Sequence, residues 1–223
     1  MQKTLIVANW KSNKTISEGL NWIEEFSQNF KEVTEKEVVL CPSFTLLYPI
    51  KQAVKDRNLQ IKFGAQDISN FPEGPFTGEV NARQIKEIAD YVIIGHSERR
   101  KNFKETDEVL FEKVKIAKEA SLVPIFCVQN ENTLLPPEDL VIAYEPPSSI
   151  STSGSSAKEE DPKEVLRIAR LLKSKKPNSL ILYGGSVDAS NVSTFTKLEG
   201  ISGVLVGGKS LSPKDFLNIY ENA

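Results

Sequence analysis

The single histidine of the chain, His96, stands where a side chain could transfer a proton. It directly follows the apolar run 91–95, and the charged segment "SERR" comes next at 97–100. Imidazole is the side chain whose unperturbed pKa lies nearest to neutral pH, so it serves well as a general acid or base. A lone histidine after a strand is more often a hydrogen-bonded structural residue. Its role therefore depends on what lies at the ends of the other predicted strands.

Four other apolar runs also end in residues that could bind or react with a substrate. Asn9 and Lys11 stand at the end of the first run, Glu145 follows the sixth, and glycine pairs end the last two in "GGS" (184–186) and "GG" (207–208). A carboxylate can remove a proton, a lysine can stabilise negative charge, and glycines let the backbone approach a phosphate closely. Each residue also has an ordinary interpretation, as a solvated strand end or a turn.

These residues are positioned by eight short apolar runs, most of them continuous rather than alternating. Continuous runs are typical of strands buried on both faces, as in a parallel sheet covered by helices. The intervening segments carry helix signals, such as Leu20, Ile23 and Phe26 at helical spacing, and Pro162 after the cap residue Asp161. The runs are 5–9, 38–42, 61–65, 91–95, 123–127, 140–144, 180–184 and 203–207. Eight alternating units predict an α/β fold, a closed (β/α)8 barrel.

Two segments depart from this rhythm. The connection 128–139 contains two prolines at 136 and 137 and has room for at most one helical turn, so the helix between strands 5 and 6 is predicted to be reduced or missing. The serine-rich segment 146–156 is either a linker between domains or a long functional loop. Because the strand–helix rhythm resumes after it, we favour the loop and a single domain over residues 1–223.

A closed barrel would bring the candidate residues together. The loops at the carboxyl ends of its strands converge on one mouth, where barrel enzymes hold their active sites. Asn9, Lys11, His96, Glu145 and the glycine pairs are then expected on one rim. This joint placement favours a catalytic interpretation over the ordinary interpretation of each residue alone.

Composition limits the partners. Lys and Arg total 28 against 30 Asp and Glu, a net charge of −2, so no global positive field favours binding to nucleic acid or to an anionic membrane. No apolar run is long enough to span a membrane, and residues 1–10 lack the pattern of a signal peptide. Cys41 and Cys127 have no paired spacing and are expected to be buried thiols. We therefore expect a cytoplasmic location, with no nucleic-acid or membrane partner.

Six motifs resemble the triosephosphate isomerase family, in family order and with near-family spacing. They are "ANWKSN" (8–13), "FTGEV" (76–80), "IIGHSERR" (93–100), "AYEP" (143–146), "LYGGSV" (182–187) and "VLVGGKSL" (204–211). The resemblance covers essentially the whole chain. It implies a TIM barrel and an isomerase that interconverts dihydroxyacetone phosphate and D-glyceraldehyde 3-phosphate through an enediolate, in glycolysis and gluconeogenesis. No metal or organic cofactor is implied, since the scattered acids and one histidine form no ligand set.

The resemblance also implies roles for individual residues. Glu145 would be the base, His96 the electrophile that holds the enediolate oxygen, and Lys11 a fixed positive charge beside Asn9. The phosphate would be held by backbone N–H groups of Ser151, Ser186, Gly207 and Gly208. Supporting residues would be Glu98, Ile150 and Cys127.

The protonation states follow from the expected surroundings. A helical turn starting in "SERR" would present its positive end to His96 and lower the pKa of the ring, which would then act as a neutral donor. Glu145 precedes a loop whose closure would dry the carboxylate and strengthen it as a base. Glu98 is expected to orient the site through hydrogen bonds, to pair with Arg99 or Arg100, or to do both.

The serine-rich loop departs from the family pattern. Ser151 and Ser153 stand where the family usually has glycines, and Ser148 replaces a tryptophan of many members. Ile150 is still placed to cover Glu145. These changes concern the closure of the loop and the catalytic rate more than they concern which family the chain resembles.

The resemblance also bears on assembly. Thr77 matches the residue that family dimers insert beside the neighbour's active site, which favours at least a homodimer, although it can also be an ordinary turn residue. The shortened connection after strand 5 resembles compact members, some of which are tetramers, so a homotetramer stays open.

Two other functions stay open at this point. One is a different phosphate-binding barrel isomerase, which would keep the glycine loops without needing Lys11, His96 and Glu145 together. The other is a catalytically impaired descendant retained as a binding protein, which the serines of the loop alone support.

Overall fold

The computed structural model of the protein describes residues 3–149 and 159–223. Its strands form one closed sheet in which each strand pairs in parallel with the next and β8 pairs with β1. The strands are β1 (Thr4–Asn9), β2 (Lys36–Cys41), β3 (Ile61–Ala65), β4 (Tyr91–Ile94), β5 (Val123–Val128), β6 (Val141–Tyr144), β7 (Leu180–Tyr183) and β8 (Ile201–Val206). All eight predicted strands and the closed barrel are confirmed.

Helices follow most strands and cover the outside of the barrel. They are α1 (Ile16–Asn29), α2 (Phe44–Asp56), α3 (Ala82–Lys86), α4 (Ser97–Asn102), α5 (Asp107–Glu119), α6 (Pro162–Lys175), α7 (Val192–Thr196) and α8 (Pro213–Asn222). Helix α1 begins with a capping box between Thr15 and Glu18, and α6 begins with Asp161 as its cap and Pro162 in its first turn. None of the described helices is long and apolar enough to cross a bilayer.

No helix connects β5 to β6, as the prolines predicted. Residues 129–140 form turns and irregular chain instead. The Thr133 hydroxyl accepts from the backbone N–H groups of Gln129 and Asn130. The Lys176 ammonium donates to the carbonyls of Pro137 and Glu138. These side chains pair backbone groups that a helix would have paired internally.

The continuous apolar runs are explained by burial on both faces of each strand. In β1, Leu5 and Val7 belong to a cluster of strand residues that fills the barrel, while Ile6 and Ala8 belong to the larger cluster beneath the helices. Successive side chains of a strand point to opposite faces, so both sets must be apolar. The barrel is therefore a packed core that holds the strand ends in fixed positions.

Barrel closure depends on Gly203. This residue pairs with Leu5 of β1 and with Leu182 of β7, where the register of the β7–β8 pair shifts. Its φ is +152°, and a Cβ atom there would lie 1.9 Å from the carbonyl oxygen of Leu5. Only glycine lets β1 and β8 approach to pairing distance.

We predict that Gly203→Ala lowers the free energy of unfolding by about 3 kcal/mol or more, because the methyl group overlaps backbone that cannot move without opening the sheet. Urea unfolding measures the loss. Gly200→Ala is the matched control, since Gly200 also has a positive φ (+84°) but its Cβ would meet nothing closer than 3.7 Å. We expect about 1 kcal/mol there, for the backbone conformation alone. Equal losses at the two sites would contradict the closure argument.

Candidate active site

His96 is held at the mouth by the chain reversal between β4 and α4. Gly95 has a φ of +72°, and His96 is the N-cap of α4. The carbonyl of His96 accepts from the N–H groups of Arg99 and Arg100, which builds the first turn. The ring Nδ1 accepts from the Glu98 N–H at 3.3 Å. The helical turn predicted after His96 is confirmed, and Nε2 is the ring nitrogen left to face the barrel mouth.

Glu145 follows β6 and reaches His96 across the mouth. Its Oε1 lies 2.9 Å from His96 Nε2, and its Oε2 accepts from the Ser97 N–H at 3.1 Å. The carboxylate is almost fully buried, with 1% of its side chain exposed. Room for it comes from Gly184, where a Cβ would lie 3.1 Å from Glu145 Cγ. The Glu145 carboxylate and the His96 imidazole are thus in direct hydrogen-bond contact.

Their pKa values depend on this contact. Burial alone would raise the pKa of Glu145 and lower the pKa of His96, because it disfavours both charged forms. The opposite charge at hydrogen-bond distance outweighs burial, so the pKa of Glu145 is lowered and the pKa of His96 is raised. The expectation of a lowered pKa for His96 is wrong for this arrangement. The positive end of the helix lowers the pKa of the ring by less than the Glu145 carboxylate, at 2.9 Å, raises it.

Cys127 lies at the end of β5 within the barrel and is fully buried. Burial, together with the negative charge of Glu145, holds the pKa of the Cys127 thiol well above its usual value. The thiol therefore stays protonated beneath the carboxylate. This position is consistent with the supporting place that the sequence predicted for it.

Lys11 supplies a cation on the other side of the mouth. Its φ of +53° is unusual for a residue with a side chain. The conformation is held by two hydrogen bonds, from the Lys11 N–H to Asn9 Oδ1 at 3.0 Å and from Gln66 Nε2 to the Lys11 carbonyl at 2.9 Å. The ammonium lies 2.6 Å from Glu98 Oε1. Backbone and side chain are both fixed, so the charge has a defined place.

Glu98 orients the site rather than pairing with the adjacent arginines. It binds the Lys11 ammonium, and its other oxygen lies 3.6 Å from His96 Nδ1. Arg100 instead pairs with Asp107 and donates to the Gly95 carbonyl. Within the described chain, the alternative that Glu98 pairs with Arg99 or Arg100 is therefore wrong.

Arg99 anchors α4 to a buried ionic cluster. Its guanidinium lies 2.8 Å from Asp67 and 2.9 Å from Glu105, and both acids also bind Lys113 at 2.7 and 2.6 Å. Lys113 and Asp67 are buried. Burying charge is costly unless it is paired, and here two cations face two anions. The short helix that carries His96 is thus fixed to the loop after β3 and to α5.

These residues border a cavity of about 430 Å³ at the barrel mouth. Asn9, Lys11, His96 and Glu145 line one part, and Ser186, Gly207 and Gly208 line another. The N–H groups of Ser186, Gly207 and Gly208 donate to no acceptor among the described residues. Unpaired N–H groups at a cavity wall favour an anion. The structure thus brings together seven of the predicted residues.

The structure does not place the other predicted residues at this cavity. Ile150, Ser151 and Ser153 lie outside the described residues. Thr77 is exposed in the loop between β3 and α3. The cavity is also lined by two charged residues that the sequence did not single out, Lys209 and Asp215. Lys209 directly follows the glycine pair 207–208, which was the available signal.

Fold and site together define a (β/α)8-barrel protein with an anion pocket beside a buried carboxylate–imidazole pair. A family model described as triosephosphate isomerase matches residues 4–134 and 132–223. The chain belongs to the triosephosphate isomerase family.

The matches to individual relatives cover nearly the full length of both chains. The chain is 39% identical to the triosephosphate isomerase of Dictyoglomus thermophilum, covering 100% of both chains, and 40% identical to that of Alkaliphilus metalliredigens, covering 98% of this chain and 99% of the other. Its structure matches the crystal structure of triosephosphate isomerase from Bartonella henselae with a TM-score of 0.81 and 29% identity, over 97% of each chain.

We predict that the imidazole titrates above the ordinary histidine value of 6.5 and that Glu145→Gln moves its pKa below 6.5, because burial then acts without the opposing carboxylate. Since His96 is the only histidine in the sequence, its ring signals in an NMR titration need no assignment. The other charges facing the ring are Glu98, which raises its pKa, and Lys11, which lowers it.

Glu98→Gln is the control for this titration. Glu98 is more exposed and farther from the ring than Glu145, so its removal should lower the pKa by less. A larger effect from Glu98→Gln than from Glu145→Gln would contradict the assigned contact. The raised histidine pKa and the lowered glutamate pKa also imply that this contact contributes its full stability only between the ordinary values of 4.5 and 6.5. The contribution is lost as pH rises through the folded-state pKa of His96 or falls through the folded-state pKa of Glu145.

Proposed function

We propose that this protein interconverts dihydroxyacetone phosphate and D-glyceraldehyde 3-phosphate, with Glu145 as base, His96 as electrophile and Lys11 as electrostatic support. The observation that carries the proposal is the 2.9 Å contact between Glu145 and His96, on the wall of a cavity whose backbone N–H groups have no acceptor in the part of the chain that the structure describes. The family and the names of its full-length relatives support the same reaction. The reaction belongs to glycolysis and gluconeogenesis.

The proposed reaction is a proton transfer between neighbouring carbons. Glu145 takes the proton from the carbon beside the carbonyl, and the C–H electron pair forms the enediolate double bond while the carbonyl oxygen becomes negative. His96 Nε2–H donates a hydrogen bond to that oxygen. Glu145 then returns the proton to the adjacent carbon, while the hydroxyl proton on that side of the enediolate moves through His96 to the other oxygen, so that hydroxyl and carbonyl exchange places. No electron is gained or lost overall, so this route needs no redox partner.

Substrate binding would change Glu145 from a weak base to a stronger one. In the ligand-free arrangement its oxygens accept from His96 and Ser97, and its pKa is lowered. A substrate oxygen that takes the hydrogen bond of His96 removes the main opposing contact. Burial, which raises the carboxyl pKa, then dominates. The site would thus keep its base hydrogen-bonded to His96 until a substrate enters.

Lys11 and the cavity wall would bind the substrate. The ammonium of Lys11, fixed by Glu98, faces the cavity and would stabilise both the phosphate and the developing oxyanion. The N–H groups of Ser186, Gly207 and Gly208 support a phosphate position on the far side of the cavity. Ser151 is proposed as a fourth donor and Ile150 as a cover for Glu145.

We predict that Glu145→Gln lowers kcat/KM for D-glyceraldehyde 3-phosphate by about 1000-fold or more, because the amide cannot take the proton. The measurement is a coupled assay at substrate concentrations well below KM. Glu119→Gln is the control, since Glu119 is exposed at the end of α5, away from the cavity. Thermal unfolding of both variants checks that they fold.

The outcome separates the isomerase from a binding-only descendant. A slow wild-type protein that the Glu145 substitution barely changes would overturn the proposed function. The transition-state mimic phosphoglycolate adds a second criterion, because an active isomerase binds such a mimic more tightly than its substrate.

We further propose that the protein acts as a homodimer through Thr77 and its loop. Phe44 and Phe103 are exposed, at 40% and 66%, and line a second cavity of about 220 Å³ that also touches Lys11 and His96. Exposed aromatic residues beside a cavity are typical of an interface. A loop from a second copy would fill this cavity and contact the site. A homotetramer is an alternative that the same measurement resolves.

We predict that Thr77→Arg shifts the protein to monomers and lowers kcat/KM by about 10-fold or more, because a charge would be buried in the interface. Light scattering after gel filtration gives the mass, and the assay is run on the same fractions. Leu134→Arg is the control, because it places the same charge on an apolar surface residue that is 59% exposed and far along the chain. It should change neither the oligomeric mass nor kcat/KM. An unchanged oligomer in Thr77→Arg would contradict this interface.

We also propose that residues 1–223 act as one catalytic domain in the cytoplasm. The single closed sheet, built from strands between Thr4 and Val206, supports one domain. Both cysteines are free and buried, which suits a reducing compartment.

A further inference from the structure

One cation at the barrel mouth is not used by the mechanism above. Lys209 follows the glycine pair in the turn Gly208–Leu211 and lines the same cavity as Lys11 and Ser186. Its side chain is 55% exposed, and its Nζ lies 3.6 Å from Asp215 Oδ2. An exposed ion pair at this distance is weak. Lys209 is therefore only loosely held.

The acids around Lys209 make this end of the cavity unfavourable for an anion. Asp215, in the first turn of α8, lines the cavity itself. Asp188 lies close by and lines an adjoining cavity together with Lys209 and Asp215. A phosphate dianion that approaches Ser186 and Gly208 would be repelled by both carboxylates. Lys209 lies near both carboxylates and offsets that repulsion.

The other lysine of the cavity cannot take this place. Among the described lining residues the lysines are Lys11 and Lys209. The Lys11 ammonium is fixed at 2.6 Å from Glu98, on the His96 side. Lys209 can turn inward, because more than half of its side chain is exposed and packing does not fix it. It can reach the same anion that the glycine N–H groups would bind.

We propose that Lys209 is a second cation of the substrate site. When the substrate enters, the Lys209 ammonium separates from Asp215 and pairs with the phosphate group. The inference rests on the proposed function and adds a residue that determines specificity for a phosphorylated triose. Asp215 competes with the phosphate for Lys209 and so weakens the attraction. Because the phosphate does not react, the contact is equally strong in ground and transition states and affects kcat/KM rather than kcat.

The test compares Lys209→Gln with Lys214→Gln, in the ligand-free protein and during turnover. Lys214 is exposed on α8 beside Asp215 but does not line the cavity, so its variant loses the same charge nearby. We expect Lys209→Gln to lower kcat/KM for D-glyceraldehyde 3-phosphate by about 5-fold to 10-fold at low ionic strength, with kcat unchanged. The loss should shrink at high salt. Lys214→Gln should stay within about 2-fold of wild type.

Two further measurements connect the effect to the phosphate group. Inorganic phosphate, used as a probe in calorimetry, should bind Lys209→Gln more weakly by a similar factor. Unphosphorylated D-glyceraldehyde should be turned over equally by wild type and Lys209→Gln. Asp215→Asn should change kcat/KM in the opposite direction, upward, and this gain should vanish when Lys209→Gln is added.

The outcomes separate this inference from the proposed function. If wild type is active and Lys209→Gln equals Lys214→Gln, or D-glyceraldehyde turnover falls as much as that of the phosphorylated substrate, only the role of Lys209 is overturned. If wild type does not isomerise the triose phosphates, the proposed function fails. Phosphate binding by the two variants then still decides whether Lys209 binds the anion.

Discussion

Closure of the parallel sheet is the constraint on which the rest of the structure depends. The pairing of β8 with β1 turns eight separate strand ends into one ring, and Gly203 permits that pairing by removing the Cβ that would overlap Leu5. Once the ring is closed, residues far apart in the chain face one cavity. The contact of Glu145 with His96 and the position of the glycine N–H groups are consequences of closure.

The site combines rigid supports with one pair of charges that substrate can separate. Helix α4 is fixed through Arg99 to the buried cluster of Asp67, Glu105 and Lys113. That cluster has balanced charge, so it can stay buried while it fixes the helix that carries His96. The Glu145–His96 pair is different, because a ligand oxygen can replace one partner. Preorganised surroundings and one exchangeable contact suit a site that must alter the strength of its base during each turnover.

The electrostatics of the mouth show why net charge says little about a binding site. The chain carries a net charge of −2, yet the cavity is lined by Lys11, Lys209 and N–H groups that have no acceptor within residues 3–149 and 159–223. Local cations act over a few ångströms, whereas distant surface charges are screened. An acidic protein can therefore bind an anion. On the same rim, Lys209 attracts an anion while Asp215 competes with that anion for the Lys209 ammonium.

The sequence by itself determined the strands, most of the helices, the absence of a helix between β5 and β6, and the residue types at the mouth. These features follow from local patterns: apolar runs, caps such as Asp161 and prolines such as Pro136 and Pro137. The tertiary structure decided the direction of the His96 pKa, the partner of Glu98 and the place of Lys209. Those depend on distances between residues that only the closed barrel brings together, and electrostatic interactions change steeply with distance and burial.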